Sequence, residues 1–276
     1  MLKLMYITNR PELAGIAEQA GTDCIFVDME WIGKADRQGG MDTVQSHHTI
    51  DDVKKVRAAV SRAELLVRVN PLHAAGNGYP GSESEIDQVI RAGADLIMLP
   101  YFHTAAEASR FLELVNGRAK TVLLLETAQA AAQVEQIVCL PGVDEIFIGL
   151  NDLSLSLGKR FMFELLADGT VERLCHRIQE AGIPFGFGGI AAPGQGTVPA
   201  ERIIREHYRL GSTRVILSRS FYRPGEPFDP AEAEHVFQTG VAAIRGIEAE
   251  CQVHSSFFTE NCSSLKQAIR KVSGAL

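Results

Sequence analysis

The chain has 276 residues, 46% of them hydrophobic and 22% charged, which is ordinary globular composition and excludes a disordered acidic or fibrous chain. Its 27 Lys and Arg against 34 Asp and Glu leave a formal charge of −7, and no basic run could track phosphates, so neither nucleic acid nor an anionic membrane is an expected partner. No apolar stretch reaches the roughly 18 residues that cross a bilayer; the apolar N-terminus stops at Thr8-Asn9-Arg10-Pro11, short of a signal peptide, and five cysteines without a Cys-x-x-Cys pair read as reduced thiols, so the expected location is the cytoplasm.

Along the chain, short β-branched and aliphatic runs alternate with longer amphipathic stretches. The runs occupy residues 3–8, 24–30, 64–70, 95–100, 121–126, 144–149, 183–188 and 213–218, and eight strands, most of them followed by a helical pattern, predict an α/β fold, a (β/α)8 TIM barrel over residues 1–228. Glycines at 21, 93, 182 and 211 precede four of the runs, where a left-handed residue ends one helix and admits the next strand. Helical patterns from Pro230 to Glu250 and from Ser264 to Val272 predict a C-terminal helical appendage, residues 229–276, packed on the barrel or on a partner subunit of a homo-oligomer.

The C-terminal ends of barrel strands carry the site in this architecture. The second run contributes Asp28 and Glu30, which alternate and share a face. The 32–48 segment that follows has the length of a lid or binding loop. It ends in His47-His48 before Thr49, an N-cap with acidic residues in the next turn; these histidines are either a solvated pair or imidazoles carried to the barrel mouth. The third run ends on Arg68. A guanidinium in an aliphatic strand needs an anion, either a substrate or Asp28 or Glu30 on the neighbouring strand; a second long loop, 71–81, comes next.

Glu126 and Asp152 lie just past the fifth and sixth runs. Each alone suits a helix N-terminus; together they are two hard oxygen donors, suited to Mg²⁺ or Mn²⁺ rather than zinc, with Asp28 and Glu30 as surrounding acceptors. Gly188-Gly189 and Arg219-Ser220, past the seventh and eighth runs, fall where many barrels hold phosphate. They are expected to meet a distal anionic group of the substrate, although glycines also serve a plain tight turn.

Four segments resemble the HpcH/HpaI aldolase and citrate lyase β-subunit family of metal-dependent barrels: Ile25-Phe26-Val27-Asp28-Met29-Glu30, Leu66-Val67-Arg68-Val69-Asn70, Leu124-Leu125-Glu126-Thr127, and the block from Pro141-Gly142-Val143-Asp144 through Gly149-Leu150-Asn151-Asp152-Leu153-Ser154. The resemblance implies that Glu126 and Asp152 ligate the metal, that Arg68 contacts the keto oxygen of a 2-oxo acid, and that backbone amides near Leu150 and Asn151 hold its carboxylate. It also implies a class II lyase that reversibly cleaves a 4-hydroxy-2-oxo acid to pyruvate and an aldehyde through an enolate. The family's aldolases carry a histidine where this chain has Trp31, and a long insertion between strands four and five that this chain lacks. The base must then be His47, His48 or a water on the cation. Citrate and malyl-CoA lyase relatives lack that histidine too, which leaves a thioester lyase or a phosphoenolpyruvate-handling enzyme as the alternative, and a non-catalytic barrel binding a small acidic metabolite as a third.

Overall fold

Eight parallel strands close into a barrel in chain order: β1 (Lys3–Ile7), β2 (Cys24–Asp28), β3 (Glu64–Arg68), β4 (Leu96–Leu99), β5 (Lys120–Leu125), β6 (Glu145–Ile148), β7 (Phe185–Ile190) and β8 (Arg214–Leu217). The computed structural model describes residues 1–34, 48–76, 78–253 and 257–274. All eight predicted runs are strands. The seventh starts two residues later than its apolar pattern, because Pro184 has no N–H to give the ladder, and continues to Ile190 across a register irregularity between Gly186 and Gly189.

Alternation along the strands sorts the barrel interior into three layers. On β3 the inward series is Glu64, Leu66, Arg68, and its register partners on β2 are Cys24, Phe26 and Asp28. The bottom layer is ionic. Arg214, 2% exposed, donates from Nε and Nη2 to Glu145 at 2.6 Å each and from Nη2 to Glu64 at 3.1 Å, and Lys3 and Lys120 hold Glu64 from the rim. The middle layer is apolar, formed by Met5, Phe26, Leu66, Met98, Val122 and Phe147 among others. The top layer is polar again and holds the candidate site.

Outside the strands, a larger apolar core joins sheet to helices. The helices are α1 (Pro11–Gln19), α2 (Ile50–Ala59), α3 (Ser82–Arg91), α4 (Ala105–Val115), α5 (Ala128–Ala132), α6 (Val134–Ile137), α7 (Leu150–Ser156), α8 (Glu164–Ala167), α9 (Thr170–Glu180), α10 (Ala200–Leu210), α11 (Pro230–Val253) and α12 (Phe257–Ser273). Thr49 caps α2 as its sequence implies, in a capping box with Asp52. Of the two C-terminal helices, α11 lies against α1 and α10, the place of the eighth helix of the ring, and α12 packs on α8 and α10. Among the described residues no helix is long and apolar enough to cross a membrane.

His207 on α10 is fully buried and stacks on Phe187 of β7 at 3.7 Å, with Nδ1 bonded to the Ser212 hydroxyl at 2.8 Å. Burial pushes its pKa down to about 3. The folded value lies below the unfolded value of about 6.5, so the stability that this neutral ring contributes is complete above about pH 6.5. It is lost as the pH falls towards 3, at up to about 1.4 kcal/mol per pH unit. In urea unfolding measured across this range, His207→Phe should flatten the acid-side fall; an unchanged slope would refute the assignment.

Candidate active site

The C-terminal ends of the strands open into a cavity of about 500 Å³. Asp28, Arg68, Glu126 and Asp152, contributed by four different strand ends, all line it, as do Leu150 and Asn151 at the start of α7. Gly188, Gly189 and Arg219 line the same cavity, whereas Ser220 does not line it and is exposed. Its N–H bonds the Ser218 hydroxyl at 3.2 Å. Glu30 is buried behind the wall. His48 lines the cavity; His47 lies outside the described residues.

Register places Asp28 directly beside Arg68. Arg68 donates Nε to Oδ1 and Nη2 to Oδ2 of Asp28, both at 2.8 Å, a planar fork on a carboxylate. Nη2 also lies 3.4 Å from Glu30, and the guanidinium rests over the Phe26 ring of the apolar layer, 5.4 Å from its centroid. Burial works against both charges, but Asp28 and Glu30 outweigh it and raise the pKa of Arg68, while Arg68 and Lys34 hold the Asp28 carboxyl well below the usual carboxylate range. The ion pair on the neighbouring strand therefore exists, and Arg68 lines the cavity as well. Its Nη1 has no hydrogen-bond acceptor among the described residues.

Glu126 is turned inward rather than towards the next helix. The capping task belongs to Thr127, whose hydroxyl accepts from Ala130 N–H at 3.1 Å and donates to Phe102 O at 2.7 Å. That bond pair points residue 126 into the barrel, where Tyr101 N–H donates to its Oε1 at 2.9 Å. Gly149 makes room: a Cβ there would come within 2.8 Å of Glu126 Cβ and Oε2. Burial, and then the neighbouring carboxyls of Glu30 and Asp152, push the Glu126 pKa well above its ordinary value. Among the described residues no cluster of three or more His, Cys, Asp or Glu side chains is arranged to hold an ion by itself. A cation here would rest on Glu126 and Asp152 and on ligands from outside the chain.

Two side chains escape the sequence reading. Lys34 is 5% exposed and donates to Asp28 Oδ2 at 2.8 Å, with Glu30 Oε2 at 3.3 Å. The turn that carries it, closed by Lys34 N–H to Trp31 O at 3.3 Å, leaves Trp31 48% exposed and outside the cavity. Its only advance signal is a lysine four residues after a buried glutamate. Arg223, past β8, lines the cavity beside Arg219 and makes no ion pair among the described residues. His48 accepts the Asp28 N–H on Nδ1 at 3.0 Å, and burial lowers its pKa. The neutral ring therefore carries its proton on Nε2 and is a donor there.

The likenesses to known proteins follow the same lines. The family model described as HpcH/HpaI aldolase/citrate lyase matches residues 3–164. Over 217 residues, 65% of this chain and 72% of the relative, the sequence is 24% identical to the 4-hydroxy-4-methyl-2-oxoglutarate aldolase cghB of Chaetomium globosum. Over 173 residues, 50% and 59% of the two chains, it is 27% identical to the hydroxypyruvate/pyruvate aldolase of Paraburkholderia phytofirmans. An HpcH/HpaI aldolase/citrate lyase family protein of Burkholderia cenocepacia shares the fold with a TM-score of 0.59 at 17% identity, over 90% of this chain and 95% of that one. With a closed eight-stranded barrel and a family match over more than half its length, the chain belongs to the HpcH/HpaI aldolase/citrate lyase family.

Proposed function

We propose that this protein is a divalent-metal-dependent lyase that cleaves and forms the C3–C4 bond of a 4-hydroxy-2-oxo acid, with pyruvate or a close analogue as the half left as an enolate. The observation that carries this reading is a charge imbalance. Asp28, Glu30, Glu126 and Asp152, four carboxyl groups, meet two cations, Arg68 and Lys34, in a buried site. A divalent cation, Mg²⁺ or Mn²⁺, matches the formal excess, and hard oxygen donors suit it. Relatives named as aldolases of oxo acids support the same chemistry.

When bound, the metal would supply Lewis acidity at the 2-oxo group. Everything else falls to the chain. The first-turn N–H groups of α7, at Leu150 and Asn151, have no intrahelical acceptors and suit the substrate carboxylate. As the C3–C4 bond breaks, its electron pair moves towards the 2-oxo oxygen, and Arg68 Nη1 is the donor positioned to meet that charge. Asp28 fixes the guanidinium plane so that little reorganisation is needed. His48, with Nε2–H, can donate a hydrogen bond to the substrate; a base on this ring would need the other tautomer, which forfeits its bond with Asp28. Arg219 and Arg223, which follow β8 and line the cavity, would hold an anionic group remote from the reacting bond.

Calorimetry with Mn²⁺ tests the ligands: Glu126→Gln and Asp152→Asn should each weaken binding by at least about 10²-fold, more than losing an outer-shell partner costs, and unchanged affinity in both would end the metal assignment. Arg68→Lys cannot reproduce the fork. It should stay folded and lose about 10²–10³-fold in kcat, whereas full activity would make the arginine purely structural. For the far end, Arg223→Gln should raise KM for a dicarboxylate substrate by about tenfold, the loss of one charge-assisted hydrogen bond, and leave a substrate with a neutral acceptor half unaffected. An equal effect on both substrates would remove Arg223 from recognition.

A further inference from the structure

We propose that Lys34 is a second catalytic cation of this site, donating a hydrogen bond to the substrate oxygen on C4, the oxygen that becomes the aldehyde or ketone in cleavage and carries the developing alkoxide charge in synthesis. The inference rests on the lyase reading above and adds the group that attends the other half of the reacting bond.

Lys34 is nearly as buried as the core, yet it lines the cavity. An ammonium has three donors. Asp28 Oδ2 at 2.8 Å accepts one; Glu30 Oε2 lies 3.3 Å away as an ion-pair contact without a hydrogen bond, and no other acceptor among the described residues takes the rest. Burying a lysine costs several kcal/mol in lost hydration, and this one joins carboxylates that Arg68 already engages by forking onto Asp28 and approaching Glu30. The two cations share the same carboxylates, and both act on His48. Arg68 also interacts electrostatically with Glu126, on the side assigned to the 2-oxo group, whereas Lys34 is carried by the turn after β2. A substrate whose 2-oxo oxygen lies at Arg68 and Glu126 has its C4 oxygen two carbons away, within reach of the neighbouring cation. The turn from Trp31 to Lys34 turns the side chain at 31 outward and folds the lysine in, so this chain presents an ammonium at the mouth.

The test separates the two halves of the reaction. Exchange of the C3 hydrogens of pyruvate in D₂O, followed by NMR, needs only enolate formation. Cleavage of 4-hydroxy-2-oxopentanoate or 4-hydroxy-2-oxoglutarate, whichever the wild type cleaves faster, needs the C4 oxygen as well. Lys34→Gln should lower cleavage by about 10²–10³-fold while pyruvate exchange, and the pyruvate Kd from calorimetry, stay within about threefold. Lys34→Arg, which keeps a charge on both carboxylates, should show the same selective loss and guards against misfolding of the neutral variant. Arg68→Lys should lower both reactions. Equal losses in exchange and cleavage would reduce Lys34 to a prop for Asp28, and no loss in either would remove it from the reaction; both overturn the proposal. A wild type that neither exchanges nor cleaves would overturn the lyase reading itself, and this inference with it.

Discussion

The mouth of the barrel is organised around one carboxylate. Asp28 receives the fork of Arg68, the ammonium of Lys34 and, through its own N–H, the ring of His48. Each of these groups would be mobile or poorly placed alone: a long lysine on a turn, an arginine at a strand end, a histidine before a helix. Bound to one strand-terminal residue, they inherit the rigidity of the β2–β3 ladder, and their positions relative to Glu126, just past β5, are set by the closure of the barrel. Removing Asp28 would therefore do more than delete an acceptor. It would leave two buried cations facing Glu30 alone and release the one histidine of the described mouth from its tautomer.

A second anchor works on the loops. Asn70, just past β3, accepts from the N–H groups of Trp31 and Ile32 at 2.9 Å each and donates to Glu85 of α3 at 2.7 Å. The turn bearing Lys34 is thus fastened to the next βα unit. Burial raises the Glu85 pKa, and the amide of Asn70 is well chosen for this post, since it can donate to one neighbour and accept from two others without adding charge.

Much of this was legible in sequence. Apolar runs ending in charged residues, as at Asp28, Arg68, Glu126 and Asp152, located the polar end of the barrel, and the glycines at 21, 93, 182 and 211 all adopt the positive φ that their position before a strand implies. Glu126, Asp152 and Arg68 were visible because charged residues at the ends of apolar runs are conspicuous. Lys34 and Arg223 were not, because each sits in irregular backbone where side-chain direction depends on a turn rather than on a period. The competing roles for Arg68 could not be separated either, since a side chain can satisfy an ion pair through two nitrogens and present a third elsewhere. Ser220 falls outside the cavity that Arg219 lines because, three residues past the end of β8, the chain is already in a turn and period-two reasoning no longer applies. For α11 the pattern showed a helix, but only packing between α1 and α10 shows that it completes the ring.

The apolar middle layer has a wider meaning. Met5, Phe26, Leu66, Met98 and Phe147 form a hydrocarbon slab between the Arg214 network below and the carboxylates above. The ion pairs of each layer are made within that layer, and the slab keeps the two sets apart. Substitutions that fasten the barrel floor can accordingly accumulate without retuning the mouth, and loops at the mouth can be exchanged for new specificities without loosening the floor. In this molecule the durability of the scaffold and the chemistry it carries are separable properties, open to independent change.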